Sequence, residues 1–149
     1  MKKILSAVIA GVIAMLSFCT AYGADLSLSA QSAVLMCVET GEILYEINAD
    51  KQLSMASTTK IMTSLLALEA GTPEKEIVVT EEMVSVEGTS MGLKAGDSVS
   101  LRELVYGMLL QSGNDAANTV AYVIGGNPEG FAKLMNDRAA AIGMLNTNF

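Results

Sequence analysis

The sequence predicts an α+β fold, in which one β-hairpin is followed by a group of helices. Two short runs rich in β-forming residues, 33–38 and 43–47, flank a turn. Later stretches repeat apolar residues at helical spacing and carry recognisable helix caps. The chain has 149 residues, of which 51% are hydrophobic and 17% charged. This composition is sufficient for one modest domain with a buried core.

Residues 1–24 have the three sections of a secretory signal peptide. Lys2 and Lys3 precede an uncharged run, Ile4–Phe18, and small residues follow at 21–24. A membrane span needs roughly 20 apolar residues, so this shorter run favours a cleaved signal over a transmembrane anchor. A lipoprotein signal at Cys19 is disfavoured because the bulky Phe18 precedes it. We therefore expect an exported protein, in the periplasm or on the extracellular face of the cytoplasmic membrane.

The predicted mature chain is acidic and has few metal-binding residues. Cleavage after residue 24 removes two lysines and no acids, which leaves 7 basic and 16 acidic residues and a net charge of −9. A nucleic acid partner is therefore not expected. The chain has no histidine, and Cys37 is the one cysteine after residue 24. We expect no cofactor and no metal, and we expect Cys37 to be buried in its apolar run.

The elements follow in order along the chain. The hairpin alone is marginal, so the strands that would complete its sheet are expected to be missing from the sequence. A helix over 57–69 is apolar on most sides and is expected to lie inside the domain. The remaining predictions are a short strand at 77–79, a loop over 87–96, a helix behind the Ser100 and Glu103 capping box, a helix over 115–124, and a helix capped by Asn127 that runs to 143.

Ser57 and Lys60 form the first candidate for chemistry. They stand three residues apart at the start of the predicted helix, so both side chains lie on one face. A serine hydroxyl needs a base to take its proton, and without histidine a lysine is the leading candidate. The structural alternative is a capped helix start with a lysine whose stem packs along the surface.

The second candidate is Ser112-Gly113-Asn114, at the break between two predicted helices. A loop there can present a hydroxyl and an amide, which suit proton relay and the binding of a substrate amide. The same three residue types also favour ordinary turns.

These motifs, in this order, resemble the penicillin-recognising serine enzymes. The similarity is greatest to the D-alanyl-D-alanine carboxypeptidases, also known as low-molecular-weight penicillin-binding proteins. Further family-like stretches lie at 40–45, 56–63, 92–97, 109–118 and 143–147. The resemblance covers nearly the whole chain after residue 24.

The resemblance implies a β-lactamase/transpeptidase-like fold, a helical subdomain plus an antiparallel sheet, with residues 25–149 as the N-terminal part and the C-terminal strands missing. Ser57 would be the acylated nucleophile, Lys60 its proton acceptor, Ser112 a further catalytic residue and Asn114 a substrate-binding residue. The substrate would be the peptidoglycan stem peptide, from which the terminal D-alanine is removed. β-Lactam inhibitors would trap the same serine, and the full-length protein would associate with the membrane.

Two alternatives remain open at this point. A class A-like β-lactamase shares the serine and lysine but typically has aspartate where this chain has Gly113. A truncated, non-catalytic penicillin-binding or sensing domain is favoured by the absence of the family's third motif, a lysine, threonine or serine, then glycine on a strand. That strand normally helps to bind the substrate carboxylate.

Overall fold

The computed structural model describes residues 26–149, so the predicted signal peptide lies outside the described residues. The chain divides into two compact units, one up to Gln52 and the other from Leu53 to Phe149. In the part of the chain that is described, no helix combines the length and the apolarity needed to cross a bilayer.

The first unit contains the predicted hairpin. Strands β1 (Ala33–Met36) and β2 (Ile43–Ile47) pair antiparallel, with an irregular register after Leu35. Gly41 has φ +72° in the turn, a conformation that glycine adopts without steric cost. The sequence-based prediction of a hairpin is confirmed.

Most apolar side chains of the hairpin are exposed. Val34 and Leu44, for example, are more than half accessible. The prediction that Cys37 is buried is wrong, because its thiol is partly exposed and donates a hydrogen bond to the Glu39 carboxylate at 3.3 Å. Within residues 26–52 the sheet has two strands, which cannot bury their own side chains.

The second unit is mainly helical. A 3₁₀ turn (Ala56–Thr58) precedes the first helix, and the elements that follow are α1 (Thr59–Glu69), β3 (Glu76–Val78), α2 (Glu81–Val84), β4 (Ser98–Ser100), α3 (Leu101–Gln111), α4 (Asn114–Gly125) and α5 (Pro128–Ala141). Strands β3 and β4 pair antiparallel. The predicted helices and the strand near residue 77 are confirmed, whereas α2 and β4 were not predicted.

Two helix starts show how the sequence sets the element bounds. At the start of α3, the Ser100 hydroxyl accepts a hydrogen bond from the Glu103 backbone N–H, and the Glu103 carboxylate accepts one from the Ser100 N–H. At the start of α5, Asn127 accepts from the Gly130 N–H at 2.7 Å. Both caps satisfy N–H groups that a helix leaves unpaired at its first turn.

The core of the second unit lies between α1, α3, α4 and α5. Helix α1 packs against α3 and α4, and α4 packs against α5. The fully buried members of the core include Ala67, Leu101, Leu104, Met108, Ala116 and Val120. This packing fixes the start of α1 close to the junction between α3 and α4.

Helix α1 is not enclosed on all sides as predicted. Ile61 is 64% exposed and Leu68 49%, whereas Lys60 and Thr63 are buried. Only one side of α1 faces the other helices, and that side carries polar residues near its start. A buried lysine at this place needs polar partners, which leads directly to the candidate site.

Candidate active site

The four residues singled out from the sequence meet at one place in the second unit. The Ser112 hydroxyl donates a hydrogen bond to Ser57 Oγ at 2.7 Å. Lys60 Nζ donates to Ser57 Oγ at 3.3 Å, to Ser112 Oγ at 3.2 Å and to Asn114 Oδ1 at 2.7 Å. Lys60 Nζ therefore lies within hydrogen-bond distance of three oxygen atoms, two of them hydroxyls.

Ser57 lies in the 3₁₀ turn before α1, with Lys60 one turn later. The serine is exposed, whereas Lys60 is only 7% exposed. Ala56, immediately before the serine, has φ +47°, a conformation that costs a non-glycine residue free energy. The nucleophile candidate is thus solvent-accessible while its basic partner is held under it.

Ser112 terminates α3 in a left-handed conformation, with φ +56°. Its carbonyl accepts a hydrogen bond from the Thr89 hydroxyl at 2.6 Å. The chain can therefore turn sharply after α3, so that the Ser112 hydroxyl points towards Ser57 and Asn114 begins α4.

Gly113 lies where a side chain would be crowded. A Cβ at this position would lie 2.9 Å from Asp115 Oδ1 and 3.1 Å from the Met91 backbone nitrogen. Both of these atoms are held by a hydrogen bond to each other, so neither can yield easily. A larger residue between Ser112 and Asn114 would therefore require Asp115 or the Met91 backbone to shift by a few tenths of an ångström.

The Asn114 side-chain amide has a partner on each side. Its Oδ1 accepts from Lys60, and its Nδ2 donates to the Glu87 carbonyl at 2.7 Å. A carbonyl partner on one side and an ammonium on the other permit only one orientation of the amide. The sequence predicted a substrate-binding role for Asn114, and its contacts here also give it a role in holding the lysine.

The loop predicted over 87–96, to which the sequence gave no role at the site, surrounds Ser112 and Asn114. Besides the contacts from Glu87 and the Thr89 hydroxyl, the Thr89 carbonyl accepts from the Asn114 backbone N–H at 2.7 Å. The next residues of the loop contact Asp115, which is 3% exposed. Its carboxylate accepts hydrogen bonds from the Ser90 hydroxyl and from the backbone N–H groups of Met91, Gly92, Leu93 and Ala116, at 2.6–3.0 Å.

Two opposing effects set the pKa of Asp115. Burial raises the pKa, but the hydrogen bonds from Ser90 and from backbone N–H groups together outweigh burial and hold the pKa below its usual value. The residue is therefore a buried carboxylate at neutral pH. A sequence signal was available, since a charged residue directly before Ala116 falls on the apolar side of α4.

Comparison with known proteins agrees with this geometry. The family model described as D-alanyl-D-alanine carboxypeptidase, peptidase S11, matches residues 19–149. The chain belongs to this family. The family membership predicted from the two motifs is thereby confirmed.

Individual carboxypeptidases show how much of a relative's length the chain matches. It is 34% identical to D-alanyl-D-alanine carboxypeptidase DacF of Bacillus subtilis, over all of this chain and 41% of that protein. It is 38% identical to DacC of Escherichia coli, over 87% of this chain and 36% of that protein. The chain therefore spans about two fifths of the length of these curated relatives.

Solved structures of the carboxypeptidase family also resemble the chain. DacD from Francisella tularensis has a TM-score of 0.79 at 44% identity, over 85% of this chain and 32% of that one. Penicillin-binding protein D2 from Listeria monocytogenes, in its ampicillin-bound form, has a TM-score of 0.73 at 36% identity, over 85% and 52% of the two chains. The predicted penicillin-binding fold class, helices with small antiparallel sheets, is confirmed for the part that the chain covers.

Proposed function

We propose that the protein is a serine-type D-alanyl-D-alanine carboxypeptidase that acts through an acyl-enzyme on Ser57. The observation that carries the proposal is the 2.7 Å hydrogen bond between Ser112 and Ser57, with Lys60 in contact with both hydroxyls. These residues come from two places in the sequence 55 positions apart, so a helix cap alone does not account for their meeting. Membership of the carboxypeptidase family supports the same reaction.

In the proposed acylation, Ser57 Oγ attacks the carbonyl carbon of the peptide bond between the two terminal D-alanines. Its proton passes to Lys60 in the free amine form, either directly or through the Ser112 hydroxyl. The C–N bond breaks, and the leaving amine receives that proton by the same route. An ester on Ser57 and free D-alanine result.

In the proposed deacylation, a water molecule attacks the ester carbonyl. Its proton goes to the Lys60 amine, either directly or through the Ser112 hydroxyl, and is then delivered to Ser57 Oγ as the C–O bond breaks. The products are the shortened stem peptide and regenerated serine. Asn114, already bonded to Lys60, lies beside the path and can offer its amide to the peptide substrate.

The rest of the proposed assignment concerns location and partners. Residues 1–24 act as a cleaved signal peptide, and residues 25–149 form the N-terminal part of the carboxypeptidase domain. The protein then works outside the cytoplasmic membrane, on peptidoglycan stem peptides, with membrane association in its full-length form. β-Lactams inhibit it by acylating Ser57.

The test is to incubate the full-length protein with a labelled penicillin and to map the adduct by peptide mass spectrometry. We expect one label on Ser57, none in Ser57→Ala, and normal labelling in Ser54→Ala, a control at an exposed serine three residues upstream. Release of D-alanine from an acyl-D-Ala-D-Ala peptide should follow the same pattern. Labelling at another residue, or undiminished labelling of Ser57→Ala, would contradict the assignment.

The same assay separates the two alternatives. A β-lactamase would release the hydrolysed penicillin rapidly and leave D-Ala-D-Ala peptides intact. A non-catalytic penicillin-binding or sensing domain would release no D-alanine from the peptide, whether or not penicillin labels it. Gly113 favours the carboxypeptidase over a class A-like β-lactamase, which typically has aspartate at this position.

A further inference from the structure

We propose that Asp115 is a positioning residue for the reaction, which acts through the loop 87–93 to fix the orientation of the Asn114 amide. This inference rests on the proposed function, since it concerns the same site. Asp115 itself has no hydrogen bond to Ser57, Lys60 or Ser112 among the described residues, so any effect on chemistry must pass through its neighbours.

The buried Asp115 carboxylate has an unusually large number of hydrogen-bond donors around it. Asp115 accepts five hydrogen bonds, four of them from consecutive loop residues, Ser90–Leu93. Only one of the five donors, the Ala116 N–H, belongs to α4. The additional bonds do not serve the helix; they draw the loop on to the start of α4.

The other end of the loop 87–93 is hydrogen-bonded to Ser112 and Asn114. The Thr89 hydroxyl and carbonyl hold the backbone of Ser112 and Asn114, and the Glu87 carbonyl holds Asn114 Nδ2. The loop is therefore attached to Asp115 on one side and to the site on the other. Thr89 and Ser90 are adjacent in sequence, so the two sets of bonds cannot move independently.

The loop also approaches the Asn114 side chain closely, at Gly88. Gly88 has φ +98°, and a Cβ there would lie 2.6 Å from Asn114 Nδ2. The glycine lets the Glu87 carbonyl reach the amide nitrogen, which leaves Oδ1 directed at Lys60. If the loop moved away, the amide could rotate and present its NH₂ group to the ammonium, and Lys60 would lose its 2.7 Å acceptor.

The experiment compares four forms of the full-length protein: wild type, Asp115→Asn, Asn114→Ala and the double variant. The readout is the rate constant for acylation by a labelled penicillin per folded molecule. Asparagine at 115 has nearly the same shape as aspartate. Its NH₂ group, however, cannot accept the hydrogen bonds that a carboxylate oxygen accepts. We expect Asp115→Asn to slow acylation about tenfold in the wild-type background and less than about threefold in the Asn114→Ala background.

A purely structural role predicts a different pattern. It would lower the melting temperature and leave the acylation rate of the folded molecules unchanged, and that result would overturn the proposal. An equal slowing in both backgrounds would also overturn it, because the effect would not pass through Asn114. The matched control is Asp97→Asn, whose carboxylate accepts a backbone N–H from Lys94 at 2.9 Å in a separate turn, and which should acylate normally.

A second readout does not depend on acylation or on recovering Asp115→Asn in folded form. In the wild type, hydrogen exchange at the Asn114 side-chain amide should be slow by NMR, because Nδ2 donates to the Glu87 carbonyl. Ser90→Ala removes the 2.6 Å bond to Asp115, and the Gly92 N–H, which also contacts the Ser90 hydroxyl, keeps Asp115 as its acceptor.

This variant should speed the exchange at Asn114 while the backbone amides of α4 stay protected. Unchanged exchange in Ser90→Ala would overturn the proposal even if the wild type proved not to acylate. Failure of the wild type to acylate would count against the proposed function instead, so the two failures are distinguishable.

Discussion

The two halves of the candidate site are built by different means. Ser57 and Lys60 are three residues apart, and the period of a single helix start brings them together. Ser112 and Asn114 depend instead on contacts from Glu87 and Thr89, which are 23–27 residues away. The first half is thus specified by local sequence, and the second by tertiary structure. Substitutions far from both motifs should therefore disturb the second half first.

Lys60→Ala removes the amine from the first half of the site, and we expect it to have the largest effect on the acylation rate. Loss of the proton acceptor should slow acylation of Ser57 by about a thousandfold. The partly buried Asn114 Oδ1 loses its donor, which should cost about 1 kcal/mol in the free energy of unfolding. Labelled-penicillin kinetics and urea unfolding measure the two effects.

The control for this variant is Lys75→Ala, at an exposed lysine before β3. It should change neither the acylation rate nor the stability measurably. Normal acylation by a folded Lys60→Ala protein would mean that another group takes the serine proton.

Gly88→Ala tests the second half without touching either motif. The new methyl group would collide with Asn114 Nδ2, and we expect acylation to slow about tenfold as the amide is displaced. Gly96→Ala is the matched control, because Gly96 has nearly the same φ, +94°, and its new methyl group would have no atom within 4 Å. Both variants should lose about 1 kcal/mol of stability from backbone strain.

The decisive result is the difference in acylation rate between Gly88→Ala and Gly96→Ala. If Gly96→Ala slows acylation as much as Gly88→Ala does, backbone strain in general is responsible and the contact with Asn114 is not. Rate constants are therefore compared at a temperature where both variants are fully folded.

The smallest expected effect is a pH dependence of stability in the second half. The folded state holds the pKa of Asp115 below its usual value, so the ionised carboxylate stabilises the fold at pH above about 4. As the pH falls below that value towards the folded pKa, this stabilisation is lost. The difference in unfolding free energy between wild type and Asp115→Asn should therefore be larger at pH 7 than at pH 3.

Urea unfolding of both proteins at a series of pH values measures this difference. A difference that is the same at pH 3 and pH 7 would show that the charge of Asp115 adds nothing to stability. The hydrogen-bonded arrangement of the loop would then depend on shape alone.

The sequence predicted what depends on neighbours in the chain and missed what depends on distant ones. The spacing of Ser57 and Lys60 and the helix break at Ser112 are local patterns, so both motifs could be singled out from the sequence, whereas their contact with each other was expected only from the family resemblance. The role of the loop 87–93 was not predicted, because its partners lie on α4 and no periodicity links the two. The strand β4 has three residues and the helix α2 four, which is too short for a pattern to emerge.

The sequence also did not predict which apolar side chains are exposed. Cys37 and Ile61 stand in runs that favour burial, yet the two-stranded sheet and the one-sided packing of α1 leave them accessible. Apolar composition indicates that a segment can be buried, and only the packing partners decide whether it is.

The crowding around Gly113 links any change of that residue to the loop 87–93. A change of that glycine to aspartate, the residue typical of class A β-lactamases, would bring a second carboxylate against Asp115 and a side chain against the Met91 backbone. Either contact would have to relax by a few tenths of an ångström. Because Met91 belongs to the loop 87–93, that adjustment would also reach the residues that hold Asn114.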